Sequence, residues 1–232
     1  MSSPPYKYTL YSYFRSSCSA RIRIAAYVKS IPLDYKYIHL VKGEQHTADY
    51  AALNPSESVP TLIVTDAGSG EVVTKIRQSV AILEFLEETS GPEAPRLLPP
   101  VGDPVGRAKV RELVGIMASD VQPVTNLRVL NFIKPRNIET AGWQVHFMTL
   151  GFRAYEELLK QYAGKFSVGD EVTMADCALA PAVDGALRFG VDVKHEFPRL
   201  WRVWEELLNV DAFKKGRWNV QPDTPADLRA KE

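Results

Sequence analysis

The residues best suited to chemistry lie in one short segment, residues 15–19 (RSSCS), which follows an aromatic run ending at Phe14. The pattern after Ala20 is that of a helix, so the segment falls at a helix start. Free N–H groups and the positive end of the helix dipole lie there, and the serines add hydroxyl donors, so the segment suits an anion. A thiolate is such an anion, and it can belong to a bound ligand as well as to Cys18. Serines are also common helix caps, so a structural role for the hydroxyls stays open here.

The segment can activate a thiol without a second cysteine or a metal. A cysteine thiol has a reference pKa of about 8.5, and lowering it to about 6.5 requires about 2.7 kcal/mol of preferential thiolate stabilisation. A hydroxyl hydrogen bond to a charged acceptor contributes roughly 1.5–3 kcal/mol. A helix N-terminus contributes roughly 0.3–2 kcal/mol. Together these contributions are about sufficient.

Two further segments carry donors that suit a peptide-like anion. Val59-Pro60 lies between a loop and a strand, and we predict a cis peptide bond that leaves the Val59 backbone available to an extended peptide. Gln78 and Ser79 fall at a helix start, where amide, hydroxyl and backbone N–H groups can hold a carboxylate. The three segments together indicate an anionic, thiol-bearing, peptide-like ligand.

Hydrophobic periodicity indicates how these segments are positioned. The predicted order is βαβ, then an irregular segment, then ββα, which is a small α/β layer structure. The predicted elements are a strand in 8–13, a helix in 17–29, strands in 34–40, 59–65 and 71–76, and a helix in 78–88. We assign residues 1–90 to this domain.

The rest of the chain reads as a linker and a helical domain. Residues 91–103 are rich in proline and glycine, which is typical of a linker, and residues 104–232 are predicted to be all-helical. Asp103-Pro104 predicts a helix start, and 110–133 and 143–163 are long helical patterns. Thr173 to Asp176 has the spacing of a capping box.

Composition excludes several classes of protein. Lys+Arg and Asp+Glu both number 28, so no basic field attracts nucleic acid or anionic membranes. No apolar run approaches the roughly 18 residues of a spanning helix, and the N-terminus lacks a signal-peptide core. Cys18 and Cys177 are too few for a disulfide framework, which predicts a reducing, cytoplasmic location. The four histidines have no metal-ligand spacing, so we expect no metal site.

The chain resembles the zeta-class glutathione transferases. The segment SSCSARIRIA is similar to the signature of that class, and the likeness extends over nearly the whole chain. Further matching segments are LNPSESVPTL, IRQSVAILEFLEE, QPVTNLRVL, VGDEVTMADCALAP and QPDTPADLR. The resemblance implies the glutathione transferase fold, a thioredoxin-like N-terminal domain followed by an all-helical C-terminal domain, with glutathione as the cofactor.

The resemblance also implies roles for individual residues. Ser16 matches the serine that activates the glutathione thiol, and Ser17 and Cys18 line the same pocket as catalytic residues, with Cys18 modulating rather than attacking. Arg188 matches an arginine that holds an acidic substrate. Arg21 is a second, nearer candidate from the sequence itself, and a structural role is the favoured alternative for it and for Arg15. The implied glutathione contacts are Ser16, Ser17, Cys18, Gln45, Val59, Pro60, Gln78, Ser79, Gln122 and Asn126. Because Gln122 and Asn126 are four positions apart, one helix would present both to a cleft.

The implied activity is a glutathione-dependent cis–trans isomerisation of a small diacid, maleylacetoacetate, to fumarylacetoacetate in phenylalanine and tyrosine breakdown. The alternatives are a transferase that conjugates or dehalogenates small α-halo acids, a non-enzymatic interaction module, and a glutaredoxin-like oxidoreductase acting through Cys18. The resemblance further implies a homodimer, with contacts from the helix around 107–117 and from the strand hairpin.

Overall fold

The computed structural model describes residues 5–230 of the chain. They form two compact units, one made of residues 5–95 with 214–230 and the other of residues 96–213. Residues 214–230 belong to the first unit, whereas the predicted helical domain contained them.

The first unit contains a four-stranded sheet in the order β2-β1-β3-β4. β1 and β2 are parallel and are joined by helix α1, whereas β3 pairs antiparallel with both β1 and β4. The elements are β1 (Tyr6–Ser12), α1 (Ser17–Val28), β2 (Asp34–Tyr37), α2 (Ala48–Leu53), β3 (Thr61–Asp66), β4 (Val72–Ile76) and α3 (Ser79–Thr89). The predicted βαβ and ββα order is confirmed, and the unit is a thioredoxin-like fold.

Apolar side chains from the sheet and the two main helices fill the core of this unit. Leu10, Leu62 and Val64 are buried on the strands, while Ile22 on α1 and Leu83 on α3 are fully buried. Burying such a side chain stabilises the fold by roughly 1.5–3 kcal/mol. The core therefore fixes the starts of α1 and α3, which carry the predicted site.

The second unit is helical. Its elements are α4 (Pro104–Gly115), a π-helical segment (Ile116–Val121), α5 (Leu127–Ile133), α6 (Thr140–Tyr162), α7 (Met174–Arg188), α8 (Val193–Glu196) and α9 (Pro198–Leu208), and the chain continues into α10 (Asp211–Gly216). The caps predicted at Asp103 and at Thr173 with Asp176 are confirmed. Cys177 is fully buried, as its apolar surroundings predicted.

The single long helix predicted over 110–133 is wrong. The α-helix ends at Gly115, widens into the π-helical segment, and gives way to a turn before α5 begins. Asn126 is the N-cap of α5, with an extended backbone (φ −69°, ψ 147°). Pro123 explains part of the break, because a proline cannot donate the backbone hydrogen bond that a continuing helix needs.

Across residues 5–230, none of the helices is both long and apolar enough to cross a membrane. Within the same residues, no three His, Cys, Asp or Glu side chains lie close enough together to hold a metal ion.

Candidate active site

The start of α1 places Ser16 at the N-cap, half-buried at the end of the turn that follows β1. Its Oγ accepts a hydrogen bond from the Ser19 backbone N–H at 3.1 Å. A serine hydroxyl can accept and donate at the same time, so this cap leaves the hydroxyl proton available to a ligand. Ser17 and Cys18 occupy the first two positions of the helix and are also half-buried. The capping role and the predicted binding role are therefore compatible in one residue.

The Val59-Pro60 peptide bond is cis, as predicted. The Ser58 carbonyl beside it accepts hydrogen bonds from the Tyr50 hydroxyl and the Asn54 amide, both at 2.7 Å. These two buried side chains fix the loop that leads to β3. Among the hydrogen bonds of residues 5–230, none uses the Val59 N–H or C=O, so both groups are available to an extended peptide.

Gln45 is buried, and its side chain is oriented by a neighbouring pair. Its amide nitrogen lies 2.9 Å from His46 Nε2, and His46 Nδ1 pairs with the Glu57 carboxylate. A carboxylate only accepts, so His46 donates through Nδ1, and Nε2 accepts from the Gln45 amide. Gln45 Oε1 is then left buried and without a partner in the described part of the chain. A ligand N–H group would satisfy this acceptor.

The start of α3 is organised differently from that of α1. Gln78 is the N-cap residue but makes no capping hydrogen bond, and it is exposed. Ser79 is buried, and its Oγ accepts from Arg21 Nη1 at 3.0 Å. The Arg21 side chain is 2% exposed, so a buried cation lies directly behind this helix start. A free helix N-terminus, an unused amide and a cation together suit a carboxylate.

One aromatic cluster links these segments. Tyr13, Phe14, Tyr50 and Val59 are buried together and hold the turn before Ser16, helix α2 and the cis-proline loop against one another. The hydrogen bond from Arg21 to Ser79 joins α1 to α3. These contacts connect the turn before Ser16 with the cis-proline loop, and α1 with the start of α3.

Three predicted site residues lie in the second unit. Gln122 follows the π-helical segment and is half-buried. Asn126 Oδ1 accepts from the Arg128 N–H at 3.0 Å and caps α5. Because a turn separates them, the prediction that one regular helix presents both side chains is wrong. Arg188 is the last residue of α7 and is exposed, and its guanidinium lies 5.6 Å from the centre of the Phe189 ring.

Sequence reasoning missed several supporting residues. Tyr50 and Asn54 bond to the Ser58 carbonyl beside Val59. His46 bonds to Gln45, and Glu57 pairs with His46. Arg21 is a predicted candidate for substrate binding, with a structural role as the alternative, and the structure places it behind Ser79. Asn54 carried a usable signal, because an Asn before a Pro commonly organises the following turn through its side chain.

The chain is similar to known glutathione S-transferases and maleylacetoacetate isomerases. The family model of the glutathione S-transferase N-terminal domain matches residues 15–89, and that of the C-terminal domain matches residues 149–211. A maleylacetoacetate isomerase of Aspergillus fumigatus is 52% identical over 223 residues, which is 96% of this chain and 95% of the relative. The solved structure of a maleylpyruvate isomerase, described as a bacterial zeta-class glutathione S-transferase, has 37% identity and a TM-score of 0.83, covering 94% of this chain and all of that one.

The chain belongs to the zeta class of glutathione S-transferases. A further solved structure, the maleylacetoacetate isomerase of Anaeromyxobacter dehalogenans with bound dicarboxyethyl glutathione and citrate, has 37% identity and a TM-score of 0.85 over 96% of this chain and all of that one. The hydrogen-bond donors and acceptors of the first unit fit glutathione. The unpartnered Gln45 Oε1 and the free Val59 backbone suit its peptide groups, and the start of α3 suits a carboxylate.

Proposed function

We propose that this chain is a glutathione-dependent isomerase that converts maleylacetoacetate to fumarylacetoacetate in phenylalanine and tyrosine breakdown. The observation that carries the proposal is the start of α1. There Ser16 caps its own helix and keeps a hydroxyl proton to donate, in a chain 52% identical to a maleylacetoacetate isomerase.

The chemistry of the reaction comes from the cofactor. When bound, glutathione would supply a thiolate for reversible addition to an electron-poor cis double bond. The addition leaves a single bond that can rotate, and elimination of the thiolate restores the double bond, so that no glutathione is consumed. Ser16 donates its hydroxyl hydrogen bond to the sulfur, and the N-terminus of α1 adds its dipole. Both interactions favour the thiolate over the thiol, and they also stabilise the sulfur as it departs.

The remaining contacts orient glutathione. We assign the peptide part of the molecule to the Val59 backbone beside Pro60 and to Gln45 Oε1. Its γ-glutamyl carboxylate is assigned to Gln78 and Ser79, with the Arg21 cation behind them. Ser17 and Cys18 line the thiol pocket, and the Cys18 side chain tunes it without attacking the substrate. Gln122 and Asn126 are proposed as contacts from the helical unit.

The substrate is a small diacid, and we propose that Arg188 recognises its charge. An arginine fork binds carboxylates through paired, charge-assisted hydrogen bonds. The dicarboxyethyl glutathione in the Anaeromyxobacter dehalogenans structure supports this substrate class, because it carries a two-carboxylate group on the glutathione sulfur.

Two wider properties belong to the same proposal. We propose a homodimer with contacts from α4 and from the β3–β4 hairpin, where Val72, Val73 and Val105 are exposed apolar side chains. We also propose a cytoplasmic location, which fits the absence of a disulfide between Cys18 and Cys177. Light scattering during size exclusion tests the first property, since a monomer at micromolar concentration would contradict it.

The test of the proposed function is an isomerase assay on maleylacetone with and without glutathione. We expect isomerisation that depends on glutathione while the total glutathione stays constant. Stoichiometric loss of glutathione, with conjugated or dehalogenated products from α-halo acids, would instead identify a transferase. Absence of both activities, together with failure to bind a glutathione column, would favour a non-enzymatic interaction module.

A further inference from the structure

Arg23 is a buried cation that the proposed reaction does not use. It is fully buried on α1, two positions beyond Arg21. Its guanidinium donates to the Ser12 hydroxyl and the Phe14 carbonyl, each at 3.1 Å, and to the Tyr13 carbonyl at 3.4 Å. Burial lowers the pKa of Arg23 to about 10, so it stays protonated at neutral pH. Arg23 therefore holds the end of β1 at three consecutive residues.

The same arginine also holds the C-terminal segment. Its Nε donates to the Gly216 carbonyl at 3.1 Å. Gly216 lies directly against α1, because a Cβ at that position would come within 2.4 Å of Ile24 Cγ1 and 3.2 Å of the Ile24 nitrogen. The close approach requires a glycine here.

Asp223 makes the second connection between the two parts of the chain. Its Oδ2 accepts from the Phe14 backbone N–H at 2.7 Å, across 209 positions of sequence. Burial raises the pKa of Asp223, whereas the Phe14 N–H and the nearby Arg23 charge lower it. Trp218 packs against the cluster of Tyr13 and Phe14.

These contacts reach Ser16 through the backbone. The Tyr13 carbonyl that accepts from Arg23 also accepts from the Ser16 backbone N–H, at 3.0 Å. Phe14 is fixed on both sides, by Asp223 at its N–H and by Arg23 at its carbonyl. The turn that carries Ser16 is thus clamped between a helix and the C-terminal segment.

We propose that Arg23 and Asp223 are positioning residues for the thiol site. Through them, the C-terminal segment 216–224 helps to hold Ser16 in the position where it donates to the glutathione sulfur. This inference rests on the proposed function of Ser16 as the donor to the glutathione sulfur. Within the sequence QPDTPADLR, Asp223 then holds the turn that carries Ser16 in position.

The test compares Asp223→Ala with Asp227→Ala. Asp227 is an exposed aspartate four residues further along the chain. Three quantities are measured, namely the pKa of bound glutathione from its ultraviolet thiolate absorbance, the dissociation constant of glutathione, and turnover of maleylacetone. Since small misplacements of catalytic groups can cost roughly 100-fold, we expect Asp223→Ala to lower turnover about 10- to 100-fold. It should raise the pKa of bound glutathione and leave glutathione affinity nearly unchanged, while Asp227→Ala should match the wild type.

A purely structural role for Asp223 would lower the melting temperature without moving the pKa of bound glutathione, and that result would overturn the inference. Asp223→Asn keeps an oxygen acceptor for the Phe14 N–H and should restore most of the turnover. If Asp223→Ala does not fold, Arg23→Lys replaces it, because this variant keeps the cation but loses the fork. An unchanged pKa of bound glutathione in Arg23→Lys would likewise overturn the inference.

Ser16→Ala separates this inference from the proposed function. If Ser16→Ala raises the pKa of bound glutathione and Asp223→Ala does not, the positioning role is wrong and the function stands. If neither variant changes that pKa, the role proposed for Ser16 is wrong, and the positioning role falls with it.

Discussion

The starts of α1 and α3 are two helix N-termini in one unit that use their side chains in different ways. At α1 the Ser16 hydroxyl caps the helix and retains one proton to donate. At α3 the Gln78 amide caps nothing, while a buried cation, Arg21, contacts Ser79 from behind. The first arrangement suits a single polarisable atom such as sulfur, and the second suits a carboxylate with two oxygens and a full charge.

Two helix N-termini with the same free backbone N–H groups can therefore bind different parts of a ligand, because the side chains around them differ. A third helix start provides a reference inside the same chain. At α6 the Glu139 carboxylate accepts the Ala141 N–H at 2.7 Å and the Gly142 N–H, and these hydrogen bonds lower its pKa. The start of α6 therefore binds a carboxylate through backbone N–H groups, which is the role assigned to the start of α3.

The largest expected effect is on turnover at the α1 start. By analogy with the loss of one oxyanion donor, Ser16→Ala should lower turnover of maleylacetone roughly 10²- to 10³-fold. Glutathione affinity should change far less, because the peptide and carboxylate contacts remain. Ser16→Thr keeps the hydroxyl, which can both cap the helix and donate to the sulfur, and should recover most of the activity. Equal losses in the two variants would contradict the assignment.

The α3 start should show the opposite pattern. Removing a hydrogen bond to a charged group costs roughly 1.5–3 kcal/mol, so Gln78→Ala should weaken glutathione binding about 10-fold or more. Turnover at saturating glutathione, and the pKa of its bound thiol, should stay close to the wild-type values. Calorimetric titration measures the affinity, and Glu88→Ala, at an exposed position of the same helix, is the matched control. A large fall in saturated turnover would remove the distinction between the two helix starts.

A substitution outside both helix starts, at Arg188, tests recognition of the substrate and not of glutathione. Arg188→Met should raise the Michaelis constant for a diacid by up to about 10-fold, since one charge-assisted hydrogen bond is lost at an exposed position. The constant for a neutral thiol acceptor should change little, and glutathione binding should not change. Equal effects on both substrates would indicate that Arg188 has only a structural role.

The smallest effect concerns the reference carboxylate. Because the folded-state pKa of Glu139 lies below its usual value, its contribution to stability is present at pH values above the ordinary glutamate pKa. That contribution is lost as the pH falls through the lowered folded-state value. Glu139→Gln should therefore flatten the fall in melting temperature on acidification, and an unchanged slope would contradict the assignment.

The fold and the local features of the site could be predicted because their signals are short-range. The strand and helix order, the caps at Asp103 and Thr173, and the placement of Ser16 and Gln78 at helix starts all follow from residues within a few positions of one another. The break after Gly115 was missed. It depends partly on Pro123 and partly on packing, because Gly151 on α6 lies so close to Val121 that an added Cβ would come within 2.1 Å of Val121 Cγ2.

The supporting residues could not be predicted because they act across long stretches of sequence. Nothing local indicates that Asp223 bonds to Phe14, or that residues 214–230 belong to the first unit. Charged side chains are rarely fully buried unless they are paired. The buried positions of Arg21 and Arg23 could therefore be identified only once their partners were placed.

The central claim is that the reactive thiolate belongs to glutathione and is held by Ser16, not that it belongs to Cys18. The most direct measurement is a pH titration of ultraviolet thiolate absorbance with bound glutathione, made in a Cys18→Ala background so that the Cys18 thiol contributes nothing. We predict that Cys18→Ala retains the thiolate band and most of its isomerase turnover. Adding Ser17→Ala should weaken the band moderately, and adding Ser16→Ala should move the titration to distinctly higher pH. An inactive Cys18→Ala protein, or an unshifted titration after Ser16→Ala, would contradict the account.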